Sequence, residues 1–132
     1  MDTVSHNGRE TAYEVVDRGG DGAPICFVHG AGGSHEVWNG QHALADRYPI
    51  ITLDLSGHGE SDDVDASAGY TALSAYADDV LAVADATDAE VLVGNSLGGA
   101  IVLHSLLERD VDPAAVVLTG TGARLGVLED LL

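Results

Sequence analysis

The segment Val91-Leu92-Val93-Gly94-Asn95-Ser96-Leu97-Gly98-Gly99 constrains the fold of this chain more than any other stretch. An apolar run of strand character leads straight into a glycine-flanked serine, and a stretch with helical periodicity follows, from Leu97 to Glu108. A chain passes that abruptly from strand to helix only through a tight turn. Such a turn needs small residues two positions to each side of its apex, and Gly94 and Gly98 supply them. It also forces the apical residue, Ser96, into a strained backbone conformation and lifts its hydroxyl clear of the sheet.

The rest of the chain reads as strands alternating with helices. Asp2 to His6 and Thr11 to Val16 are strands, which Asn7-Gly8 can join as a hairpin. Ile25 to Val28 and Ile50 to Leu55 are continuous apolar runs, as expected of strands buried on both faces. Between them Ser34 can cap a helix to about Tyr48, with Val37, Trp38, Gln41, Leu44, Ala45 and Tyr48 at helical spacing. From Thr71 to Thr87 the residues Leu73, Tyr76, Ala77, Val80, Leu81 and Ala84 form one apolar stripe, with Asp78, Asp79 and Asp85 on the other side. Glu90 to Asn95 is a strand, Ala114 to Thr119 is another after the helix-stopping Asp112-Pro113, and Leu125 to Leu132 reads as the opening of a further amphipathic helix. This pattern predicts an α/β fold in one domain, residues 1–132: a mostly parallel sheet with helices on both faces and right-handed crossovers.

Composition excludes several alternatives. Hydrophobic residues make up 45% of the 132, too many for a disordered chain, and the formal net charge is −17. Every basic residue is an arginine, and the acids are dispersed from Asp2 to Asp130 rather than gathered in a block. Such a surface repels itself in dilute buffer and is screened at high salt, so adaptation to high salt is expected ahead of an acidic patch for a basic partner. Counterion release on nucleic acid needs clustered cations, which are missing, so no nucleic-acid partner is expected. The N-terminal residues have neither a basic nor an apolar leader segment, and no apolar run reaches membrane-spanning length. No membrane association and a cytoplasmic location are therefore expected. Cys26, the single cysteine, lies inside the strand Ile25 to Val28 as a buried, inert thiol.

Two further motifs carry chemistry. His29-Gly30-Ala31-Gly32-Gly33 directly follows a buried strand, and a glycine-rich loop there leaves backbone amides free to point into a site. The His29 ring is expected to serve the architecture by bonding to backbone. Asp54-Leu55-Ser56-Gly57-His58-Gly59-Glu60-Ser61 contains an Asp, a His and a Ser, but residues so close in a glycine-rich loop are expected to satisfy one another and the backbone. The six histidines show no metal-binding spacing, and no nucleotide-binding glycine pattern occurs, so neither metal nor cofactor is expected. His35 and His42 read as ordinary surface or flank residues.

Taken in order, the His29–Gly33 loop, the Asp54–Ser61 loop and the Gly94–Gly98 turn resemble the α/β-hydrolase fold superfamily over essentially the whole chain. The resemblance implies that Ser96 is a nucleophile on a nucleophile elbow, that the amides of Ala31 and Leu97 form an oxyanion hole, and that the substrate is a small ester or related acyl compound. It also implies an acid and a histidine after the serine, on later strands, together with any cap. After Ser96 the only histidine is His104, two turns into the following helix and carried away from the hydroxyl. The expectation is thus an N-terminal half of a serine hydrolase, with C-terminal strands and cap missing and little activity of its own. Its completing half would come from another chain, or the open sheet edge at Ala114 to Thr119 would pair copies of this one. The competing reading is a catalytically inactive half-fold that serves as an interaction module.

Overall fold

A computed structural model describes residues 1–64 and 70–121. The chain begins with a hairpin, β1 (Asp2–His6) and β2 (Arg9–Val16), in which His6 pairs with Arg9. Asn7 (φ 50°) and Gly8 (φ 76°) both lie at positive φ, the backbone that a two-residue type I′ turn requires. β3 (Ile25–Val28), β4 (Ile50–Leu53), β5 (Val91–Asn95) and β6 (Ala115–Thr119) complete a six-stranded sheet in the order β1-β2-β4-β3-β5-β6. β4, β3, β5 and β6 are mutually parallel, whereas the hairpin adds two antiparallel strands at one edge. The mostly parallel sheet expected from the sequence is present.

Helices α1 (Tyr70–Thr87) and α2 (Leu97–Glu108) pack against each other on one face. Alternate residues of each strand fill that layer: Cys26 and Val28, Ile51 and Leu53, and Leu92 meet Ala77, Val80, Val83, Ile101 and Val102 in one buried cluster. The residues between them, Phe27, Ile50 and Val93, point to the opposite face and meet Ala45, Trp38 and Tyr48. Both faces of the sheet are therefore covered, and Cys26 is fully buried, its thiol pushed up to about 12 by burial. Among the described residues β6 is the outermost strand on the side away from the hairpin, with Val117 and Leu118 exposed. Among the described residues no helix is long and apolar enough to cross a membrane.

Two expectations need correction. The segment capped by Ser34 is a run of 3-10 turns over His35–Asp46 and not an α-helix to Tyr48, although Ser34 Oγ does accept the Glu36 amide at 3.2 Å. Asn39 and Gly40 sit at its middle and are poor helix formers, and only Trp38, Ala45 and Tyr48 of the expected stripe pack on the sheet, leaving Val37 and Leu44 exposed. The second concerns Asp79, which the helical stripe placed on the polar side of α1. It is fully buried, because the hairpin lies over α1 on that side and brings Arg9 to it at 3.1 Å. The helix expected from Leu125 lies outside the described residues.

Candidate active site

The strand order assembles the three motifs. β3 lies between β4 and β5, so the loops that leave the carboxyl ends of these three parallel strands become neighbours, in the crevice where open α/β sheets bind ligands. They are the Asp54–Ser61 loop after β4, the His29–Gly33 loop after β3 and the serine turn after β5.

Ser96 stands between β5 and α2 with φ 55° and ψ −119°, a conformation that side-chain-bearing residues seldom adopt. Its neighbours leave it little alternative. A Cβ added to Gly98 would come within 2.1 Å of the Val28 carbonyl oxygen, and one added to Gly94 within 2.5 Å of the Gly98 carbonyl oxygen. The Ser96 amide donates to the Thr119 carbonyl at 2.9 Å, so the end of β6 also holds the turn. Gly30 faces the serine, since a Cβ built on it would lie 3.8 Å from Ser96 Oγ. Leu97 is the first residue of α2, where an amide has no partner within the helix and the helix dipole favours a developing negative charge. The structure thus brings Gly30, Gly94, Ser96, Leu97 and Gly98 together, with exposed Ala31 next along the loop.

Within the His29–Gly33 loop the Gly33 amide donates to the Gly30 carbonyl at 3.1 Å, closing a turn around Ala31 and Gly32. Gly32 has φ 75°, which makes this a type II turn and explains the glycine. The buried His29 ring donates from Nδ1 to the Gly30 carbonyl (2.7 Å) and accepts the Leu55 amide at Nε2 (3.1 Å). Burial, ahead of the neighbouring His58, lowers its pKa below the usual 6.5 against the opposing hydrogen bond to Gly30. With both nitrogens on backbone, His29 is architectural, as its position suggested.

The Asp54 loop is likewise self-satisfied. Asp54 Oδ2 accepts the Glu60 amide at 2.9 Å, and Ser61 Oγ donates to the Asp54 carbonyl at 2.5 Å. Asp54 Oδ1 takes the His35 amide (2.7 Å) and the His35 ring (2.8 Å). Burial alone would raise the Asp54 pKa, but these amides and the ring outweigh it and hold the carboxyl below its ordinary 3.8. His35 is therefore no flank residue: it is the partner of a buried carboxylate, a pairing that the sequence spacing gave no signal of. His42 does sit at the flank, 3.7 Å from Glu14. His104 lies between the two helices, 3.2 Å from Ser74 Oγ. None of the hydrogen bonds made by His6, His29, His35 or His58 reaches Ser96.

The alpha/beta hydrolase family profile matches residues 27–132. An uncharacterised protein of Mycobacterium tuberculosis is 40% identical over 99 residues, which is 74% of this chain and 28% of that protein. The 3-oxoadipate enol-lactonase 1 of Acinetobacter baylyi is 36% identical over 101 residues, 74% of this chain and 36% of its own length. Among solved structures, Est816, described as an N-acyl homoserine lactone degrading enzyme, matches with a TM-score of 0.76 and 30% identity over 91% of this chain and 46% of its own. The chain spans less than half the length of each of these relatives. With the family profile matching most of its length, and relatives similar to it in both sequence and structure, the chain belongs to the alpha/beta hydrolase family.

Proposed function

We propose that this chain carries the nucleophilic half of a serine hydrolase that acts on an ester or lactone carbonyl. Ser96 Oγ attacks the carbonyl, the amides of Ala31 and Leu97 hold the oxyanion, and water hydrolyses the resulting acyl-enzyme. The observation that carries the reading is the positive φ of Ser96 at a turn whose hydroxyl faces Gly30. Relatives described as an enol-lactonase and as a lactone-degrading enzyme support the substrate class. The proton on Oγ needs a general base and a carboxylate behind it, and we assign both to polypeptide other than the described residues, because the histidine rings near the serine are committed to backbone and to Asp54. General-base assistance contributes about 10² to 10⁴-fold, so residues 1–132 alone are proposed to turn over slowly.

The test is covalent labelling by a fluorophosphonate, read by intact mass and peptide mapping. An adduct on Ser96 that Ser96→Ala abolishes is expected from the full gene product carrying this sequence. A second reading, an interaction module, draws on the exposed residues Val117 and Leu118 of the edge strand β6. It predicts no adduct, and association of copies or with a second chain that substitution of Val117 and Leu118 by Thr weakens.

A further inference from the structure

His58 belongs to no step of the mechanism above, yet both of its ring nitrogens are used. Nδ1 lies 2.9 Å from the Ser56 carbonyl oxygen, which can only accept, so Nδ1 carries the proton. Nε2 is then a bare lone pair, and it accepts the Gly32 amide at 3.1 Å. That amide belongs to the central peptide of the type II turn at Gly30–Gly33, between Ala31 and Gly32. Type I and type II turns differ by a flip of this one peptide, so whatever holds it selects the turn. The peptide is the immediate neighbour of the Ala31 amide proposed for the oxyanion.

The ring is itself anchored from behind. Ser56 donates both its amide (2.8 Å) and its hydroxyl (2.7 Å) to Asp79 Oδ2, and Asp79 is paired to Arg9. The groups that face His58 are the His29 ring, with centroids 4.9 Å apart, and Tyr76 of α1 at 6.3 Å. Asp63 lies against the adjacent Gly57, and Asp54 is in the same loop. A chain of contacts therefore runs from α1 through Ser56 and His58 to the turn beside the serine.

We infer that His58 is a positioning residue, a neutral latch that fixes the Ala31–Gly32 peptide and with it the shape of the oxyanion loop. The inference rests on the proposed role of that loop. Protonation at Nε2 would set two donors against each other and release the latch, whereas a glutamine at position 58 offers an acceptor oxygen in place of Nε2.

Nitrogen-15 NMR of the full gene product carrying this sequence tests the latch without reference to activity. We expect His58 to be protonated on Nδ1 only, with a scalar coupling across the hydrogen bond between Nε2 and the Gly32 amide nitrogen. In parallel, fluorophosphonate labelling of Ser96 is expected to slow about tenfold in His58→Ala, less than the 10² to 10³-fold that loss of a whole oxyanion donor costs, and to recover in His58→Gln. A proton on Nε2 at neutral pH, a Gly32 amide unmoved by His58→Ala, or equal labelling of wild type and His58→Ala would overturn the inference. If wild type does not label at all but the coupling is present, the reading of Ser96 fails and the latch stands.

Discussion

At the scale of single residues the account turns on backbone space. Gly98→Ala would drive a methyl group to within 2.1 Å of the Val28 carbonyl oxygen, where neither strand nor helix can give. We expect it to cost about 3 kcal/mol of stability or more, measured by urea unfolding, whereas Gly40→Ala meets open space and is expected to cost nothing. His29 sets a pH dependence. Its folded pKa lies below the ordinary 6.5, so well above that pH the ring is neutral in both states and carries no penalty. As pH falls through 6.5 the unfolded chain gains a proton that the buried ring refuses, and stability drops. A plot of unfolding free energy against pH should show this loss in wild type and a smaller one in His29→Gln. Ser96, Gly94 and Gly98 were legible in the sequence because a tight turn demands particular residues at fixed spacing. The partnership of His35 with Asp54 was not legible, because it depends on where two loops from different strands end in space.

At the scale of elements the hairpin β1-β2 and helix α1 are joined by a buried charge. Asp79 is fully buried and accepts from Arg9, Thr11 and Ser56, so removing either charge of the pair strands the other away from water. Asp79→Ala is therefore expected to lose about 3 to 5 kcal/mol in denaturant unfolding, against little change for the exposed Asp85→Ala. Strand and helix positions were largely readable from apolar periodicity, and α2 runs over the expected Leu97–Glu108. Periodicity failed at Asp79 because it assigns a helix one buried face. α1 has contacts with α2, β1, β2 and β4, and the added face is polar and closed by Arg9, 70 residues away in sequence and brought to it only by the fold. It failed again between His35 and Asp46, where apolar spacing suited an α-helix but Asn39 and Gly40 favoured tighter, irregular turns.

For the molecule as a whole, a net charge of −17 with dispersed acids is the dominant long-range term. Raising salt to about 1 M shortens the Debye length to roughly 3 Å, and the thermal unfolding midpoint is expected to rise over that range; a midpoint that falls would remove the case for salt adaptation. The order β4-β3-β5 is the other whole-molecule fact, since it alone places the three motifs side by side. Their sequence order announced a family, but their meeting point had to come from the sheet. The central claim is that this meeting point makes Ser96 a nucleophile. The most direct measurement is the rate and site of fluorophosphonate labelling on the full gene product carrying this sequence, in high salt, beside Ser96→Ala. The account predicts a single adduct on Ser96 that disappears in the variant. No adduct on a folded protein, or one that persists in Ser96→Ala, would contradict it.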